Sequence, residues 1–245
     1  MFNFDRKTLL IILGVFLVLN IFSSGTAGIL ATLFMIPGVL IAITFHEFAH
    51  AWTAYKLGDE TPRMQGRLNL NPMSHIDPLG IIFLIIAGFG WGKPVQINSK
   101  NFDGKYSISK AEAIVSAAGP IMNFILAFIF MIILYVVFFA TDIAKGLSTN
   151  IYTALYGITY STIAINIGLG VFNLIPVPPL DGSKILMHFL PYRAKQWFYG
   201  KEYMFYLIFI LLLITGLSDI ILEPLFGLVF NGLSWAAGNL VGLFL

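Results

Sequence analysis

Long apolar runs separated by short polar stretches dominate the chain. A transmembrane helix needs roughly 20 predominantly apolar residues. Residues 29–55, 114–140, 151–180, 203–222 and 225–245 meet or approach that length. A shorter run, 9–22, follows Arg6 and Lys7 and can extend through the small residues of 23–27. The pattern predicts about six transmembrane helices, the last two separated only by Glu223 and Pro224 as a tight hairpin. The first run also fits a signal peptide, with a basic start, an apolar middle and small residues at its end. Residues 79–91 form a further apolar run that is too short to span and suits a re-entrant or interfacial element. On either side of it, 63–70 and 95–98 alternate polar and apolar positions, which predicts short strands at the membrane surface. The expected fold is therefore an all-α polytopic membrane protein with a small membrane-associated β-strand and re-entrant element.

Basic residues orient these spans. Arg6 and Lys7 precede the first span, seven Lys and Arg from Lys56 to Lys110 lie between the second and third, and four from Lys184 to Lys201 lie between the fourth and fifth. Only Lys145 falls on the other side. The positive-inside rule then places the N-terminus and these loops in the cytoplasm. The expected location is the cell membrane, crossed several times, with the lipid bilayer as a partner.

Composition agrees. Of 245 residues, 58% are hydrophobic and 11% are charged, and the mean hydropathy is +0.87. A soluble domain carries about 25% charge, so a water-soluble globule and a disordered chain are both excluded. The formal net charge of +2 gives no footprint for nucleic acid. There are no cysteines, which leaves histidine and carboxylate as the strong metal ligands. No polar stretch is long enough for a separate soluble domain, so 1–245 reads as one membrane-embedded unit.

Against this background the sequence His46-Glu47-Phe48-Ala49-His50 stands out. It is H-E-x-x-H within the second span. Residues four apart on a helix lie about 40° apart around the axis, so both imidazoles project to one side and can each offer a nitrogen to zinc. Glu47 lies about 100° away. It is poorly placed as a ligand and well placed to take a proton from water at the metal. Two histidines and a glutamate inside a span are costly unless they serve a site or a wet cavity. His50 precedes Lys56 by six residues, so the site is submerged by only roughly 9 Å of helix on the cytoplasmic side.

A catalytic zinc wants a third protein ligand and an open position. Asp181 is the sole acid between Ile151 and Gln196. The prolines at 176, 178 and 179 cannot continue a helix, and they break the chain where a carboxylate must be delivered. The alternative is an aspartate that caps the helix beginning at Gly182. Ser109 and Glu112 form an S-x-x-E capping box for the third span, and Pro120 should kink it.

H-E-x-x-H in one span, Gly119-Pro120-x-x-Asn123 in the next, and Asn173-x-x-Pro176-x-Pro178-x-x-Asp181-Gly182 in a later one resemble the site-2 protease family of intramembrane zinc metalloproteases. Arg67–Pro72 followed by Ile76–Gly80 is similar to the family's surface strand and re-entrant segment. The resemblance covers about residues 35–190. It implies a three-span catalytic core at about 29–190, flanked by accessory spans at 8–25 and 203–245. It also implies one Zn2+ per chain held by His46, His50 and Asp181, with Glu47 as general base and Asn173 bracing the oxyanion. The implied activity is peptide-bond hydrolysis within or near the transmembrane segment of a membrane-anchored protein substrate. Many relatives carry a PDZ or CBS domain, and this chain is expected to be a compact member without either.

Other residues admit more than one reading. Asn123 suits either the site or a helix–helix hydrogen bond, and Gly119, Pro120, Pro176 and Pro178 are candidates for support around the metal. His75 reads as structural and His188 as interfacial. Arg63, Gly66, Arg67, Leu68 and Asn69 lie on the alternating stretch, and as an edge strand they could take an unwound substrate by β-addition. The alternative functions are a metal-binding membrane transporter and a non-catalytic membrane scaffold. A transporter needs ionisable groups along a path, whereas the acids here cluster at one depth.

Overall fold

The computed structural model describes residues 6–80, 92–140, 146–215 and 217–244. Helices account for most of them. The first, α1, runs unbroken over Arg6–Lys56. Two one-turn helices follow, α2 at Thr61–Met64 and α3 at Pro72–His75. A 3-10 turn at Ser99–Asn101 leads to α4, Ile108–Leu134, which continues as a π-helical segment over Tyr135–Ala140. Then come α5 (Thr149–Asn173), α6 (Asp181–Phe189), α7 (Tyr192–Tyr199), α8 (Glu202–Thr215) and α9 (Leu217–Gly242). Among the described residues four helical stretches are long and apolar enough to cross a membrane: Leu30–Lys56, Ile108–Phe139, Thr149–Asn173 and Ile220–Gly242.

Three helices build the core around the site. Gly119 of α4 packs on His46, and Val115 meets His50 further along, so α1 and α4 run antiparallel. Asn166 of α5 meets Asn123 and Tyr152 meets Phe138, so α4 and α5 are also antiparallel. A Cβ at Gly38 would sit 2.9 Å from the Cα of Thr162, which shows how closely α1 and α5 approach. One apolar cluster joins Ala127, Met131 and Leu134 of α4 to Ile163, Ile167 and Val171 of α5 and Ala237 of α9. A second closes the other end, with Ala54 and Leu57 against Ala111 and Val115.

Several expectations need correction. The run 9–22 does not turn back on the second span, because both lie in the one helix α1. The small residues between them include no proline, and Gly or Ser inside a helix lowers its stability without ending it. Arg6 and Lys56 therefore mark opposite ends of a single helix. The hairpin at Glu223–Pro224 is also absent, since Pro224 lies inside α9. Phe230 of α9 packs on Tyr160, and Ser234 bonds Tyr135, so α9 runs parallel to α4 and ends beside the start of α5.

The strand expected at 63–70 is not formed. Pro62 opens the turn of α2, and Gly66, at φ +66°, closes it with Arg67 N–H donating to the Pro62 carbonyl. Proline at the start and glycine past the end is a helix signature, and it overrides the alternation. Asn69 and Asn71 then accept the N–H groups of Asn71 and Met73, which removes those donors from any ladder. The stretch 95–98 forms no ladder, and the N–H groups of Val95 and Asn98 go to the carboxylates of Glu47 and Asp59. One antiparallel bridge, Ile76 with Gly92, is the β-structure among the described residues. The re-entrant candidate 79–91 lies outside the described residues beyond Gly80. The capping box fails as well. Ser107 holds the N-cap position, Ser109 accepts from Lys195, and Glu112 accepts from Ser99.

Candidate metal centre

His46 and His50 share one face of α1, as their spacing requires, and both are buried. Their Nε2 atoms are 3.0 Å apart. The chain delivers Asp181 to the same point from a different direction. After Asn173 the backbone leaves the helix, makes tight turns at Val177 and Leu180, and restarts as α6 with Asp181 as its first residue. Leu180, not Asp181, takes the N-cap position. A Cβ on Gly182 would run into the Leu174 carbonyl, so glycine lets the loop fold back on itself. Asp181 Oδ2 lies 3.2 Å from each histidine Nε2.

These three atoms fit a metal. A tetrahedral zinc with ligands at about 2.0–2.1 Å sets its ligand atoms about 3.3 Å apart, close to the observed triangle. The surroundings agree. His50 Nδ1–H donates to the Val115 carbonyl at 2.7 Å, and His46 Nδ1–H donates to Asn123 Oδ1 at 2.6 Å. Each ring then turns Nε2 toward the other ring and toward a carboxylate, an arrangement that a cation or a proton relieves. Gly119 makes room for it. A Cβ there would lie 2.5 Å from His50 Nε2 and 2.7 Å from His46 Nε2. His46, His50 and Asp181 form the group among the described residues that could hold a metal ion.

Glu47 stands beside this triangle and outside it. Its Oε2 accepts the Val95 N–H at 2.9 Å, which anchors one carboxylate oxygen on the segment after Gly92 and leaves Oε1 for other partners. That segment is tied at its ends. Lys93 N–H donates to the His75 carbonyl, and Asn98 N–H donates to Asp59 at 2.8 Å. Asp59 is fully buried at the end of α1. Burial alone would push its carboxyl up, but hydrogen bonds from Thr61, Asn98 and Asn101 outweigh this and hold it below the ordinary carboxylate value.

The remaining candidates divide. Asn123 and Gly119 touch the histidines, and Pro120 is buried beside Gly119 in α4. Pro176 and Pro178 belong to the loop that carries Asp181. Asn173 lies at the end of α5, with its Nδ2 donating to Leu169 O at 3.0 Å. Arg63 pairs with Glu60 at the surface. Arg67 is buried and donates to the carbonyls of Ser74 and Lys93, and Asn69 donates to Gly66 O. With Leu68 between them, these residues form turns, which corrects their reading as a substrate strand. His75 is fully buried with Nε2 on the Asn69 carbonyl, in keeping with a structural part.

Sequence reasoning missed Asn166, the backbone acceptors Ala42 and Val115, and the Val95 N–H. Asn166 had a signal. It is an amide in the middle of an apolar span, seven residues before Asn173 and so on nearly the same helix face.

Fold and site together define a helical membrane protein with a buried two-histidine, one-aspartate centre and a carboxylate beside it. Residues 34–215 match the family model described as Peptidase family M50, and the chain belongs to that family. It is 36% identical over 192 residues to "Putative zinc metalloprotease YwhC" of Bacillus subtilis (strain 168), covering 78% of this chain and 85% of that one. It is 29% identical over 192 residues to "Putative zinc metalloprotease Rip2" of Mycolicibacterium smegmatis (strain ATCC 700084 / mc(2)155), covering 75% and 68%. No solved structure matches the chain. The protein is a membrane metalloprotease of the site-2 protease family.

Proposed function

We propose that the chain is a zinc-dependent endopeptidase that cuts membrane-anchored proteins within or near their transmembrane segment. The observation that carries this reading is the triangle of His46, His50 and Asp181 buried inside a span, with Glu47 at its side. Zinc, when bound there, supplies Lewis-acid polarisation and makes water a nucleophile at neutral pH. His46 Nε2, His50 Nε2 and Asp181 Oδ2 hold it. Glu47 takes the proton from the attacking water and passes it to the departing amine. Asn173 braces the oxyanion by exchanging its Leu169 bond for one to the substrate oxygen. The unit is the membrane domain 1–245, with its catalytic core at about 29–190.

The end of the bundle bearing Lys56, Ile108 and Asn173 faces the cytoplasm of a multi-pass cell-membrane protein. Support comes from the basic residues of 56–110 and 184–201, which gather at that end. Substrates are therefore cut toward the cytoplasmic side. A helical substrate hides its carbonyls, so cleavage falls where Gly, Pro or Asn weakens its helix. The test is cleavage of a single-span model substrate by purified protein. A zinc chelator and, separately, Asp181→Ala should abolish cleavage, and zinc should restore the chelated wild type. Full activity after either treatment would end this reading.

A further inference from the structure

We propose that Asn166 is a positioning residue of the metal centre, acting through Asn123 to hold the ring proton of His46 on Nδ1 and so leave Nε2, the nitrogen that faces Asp181, for the metal. The inference rests on the reading of His46 as a ligand. Its basis is a directional run of hydrogen bonds across three helices. Asn166 Nδ2 lies 2.8 Å from the Thr162 carbonyl, which can only accept. The amide group of Asn166 must therefore present Nδ2 to Thr162 and Oδ1 the other way. Asn123 Nδ2 lies 3.0 Å from that Oδ1 and 3.1 Å from the Ala42 carbonyl, again two acceptors. Asn123 must therefore present Oδ1 to His46 Nδ1, at 2.6 Å. An acceptor there requires the ring proton on Nδ1, and Nε2 is left as a lone pair pointing at Asp181.

The alternative state is defined by the same groups. If the Asn123 amide were flipped, Nδ2–H would face His46 Nδ1, and the ring proton would move to Nε2. That proton would sit between His46 and Asp181, where the metal belongs. The flip also sets Asn123 Oδ1 against two acceptors, the Ala42 carbonyl and Asn166 Oδ1. Asn166 supplies one of those two oppositions. Both asparagines are fully buried, so bulk water cannot take the place of the missing acceptor. Partners that orient a metal-binding histidine typically change metal affinity 10–100-fold. Because Ala42 still holds one amide hydrogen, Asn166 should account for the lower part of that range.

The experiment uses full-length protein in detergent and compares wild type, Asn166→Leu and Asn166→Asp. Leucine keeps the side-chain size and removes the acceptor. A buried aspartic acid in its neutral form keeps both bonds, with its carbonyl facing Asn123 and its hydroxyl facing Thr162. Zinc affinity is read by competition with a chelator of known strength. Asn166→Leu should bind zinc about tenfold more weakly, and Asn166→Asp within about threefold of wild type. A second readout is the His46 Nδ1–H signal in the 15N–1H spectrum of histidine-labelled, zinc-loaded protein, in which four rings must be assigned. The His46 Nδ1 proton should exchange slowly with solvent in wild type and Asn166→Asp, and faster in Asn166→Leu. Equal zinc affinity in all three proteins would overturn the proposal. So would equal weakening of both variants with unchanged exchange of the His46 Nδ1 proton, since packing alone would then be the cause. A wild type that holds no zinc would remove the ligand reading itself, an outcome distinct from variants that load as well as wild type.

Discussion

Asn123 Oδ1 accepts a hydrogen bond from His46 Nδ1 at 2.6 Å across the α1–α4 interface, and no part of Asn123 is exposed. The third motif residue of Gly119-Pro120-x-x-Asn123 therefore acts on the first histidine of H-E-x-x-H. Asn123→Leu removes the acceptor and leaves the His46 N–H buried without a partner. Zinc affinity should fall about 10–100-fold, more than for any change at Asn166. Isothermal titration with zinc checks this, and an unchanged affinity would mean that His46 needs no such support.

Gly119 carries a separate prediction. Its missing side chain is the space in which the two Nε2 atoms meet. Gly119→Ala should push at least one imidazole out of the triangle, with an overpacking cost of about 1–3 kcal/mol. The protein should remain folded by circular dichroism and lose metal in a metal assay. Full retention of zinc would show that α4 can move away from α1.

Much of this site was legible in the sequence because its signals are short-range or chemically rare. The i, i+4 spacing of His46 and His50 fixes a shared helix face whatever surrounds it. Asp181 was identified because few acids exist in an apolar chain and three prolines precede it. The span count was less legible. Hydropathy marks 9–22 and 203–222 as apolar, but it does not say whether the helix turns, and α1 continues where a break was expected. Alternation at 63–70 misled because Pro62 and Gly66 set a helical turn, and local backbone preference outweighed side-chain pattern. Asn166 was overlooked because its partners lie 4 and 43 residues away, and only the second of these links it to the site.

Asp59 makes the loop that follows α1 sensitive to acid. Its folded pKa lies below the ordinary value of 3.8. A lowered carboxylate stabilises the fold above the unfolded pKa, and that contribution is lost as pH falls through the folded pKa. Thermal stability at neutral pH should therefore hold this contribution in full and lose it below about pH 4. Asp59→Ala should cost about 3 kcal/mol at pH 7, because hydrogen bonds to a charged acceptor are lost. The difference from wild type should shrink on acidification, which melting curves at several pH values will show. A difference independent of pH would contradict the assignment.

The direction of α9 predicts where the chain emerges. The native chain has no cysteine, so single introduced cysteines report cleanly. An impermeant thiol reagent added outside intact cells should label Ser148→Cys and Leu243→Cys and should leave Ser99→Cys untouched. Ser148 precedes α5, at the end of the bundle where α9 finishes, and Ser99 lies at the opposite end. Labelling of Leu243→Cys only after the membrane is opened would restore the hairpin arrangement of the last two spans.

The most direct test separates holding the metal from using it. Glu47 lies outside the ligand triangle, with Oε2 on the Val95 N–H. Glu47→Gln keeps the shape of the side chain and removes its basicity. Purified Glu47→Gln should retain about one zinc per chain, as three ligands require, and its cleavage of a single-span substrate should fall by at least about 100-fold, the scale of lost general-base catalysis. Loss of zinc from Glu47→Gln, or cleavage at the wild-type rate, would contradict the account.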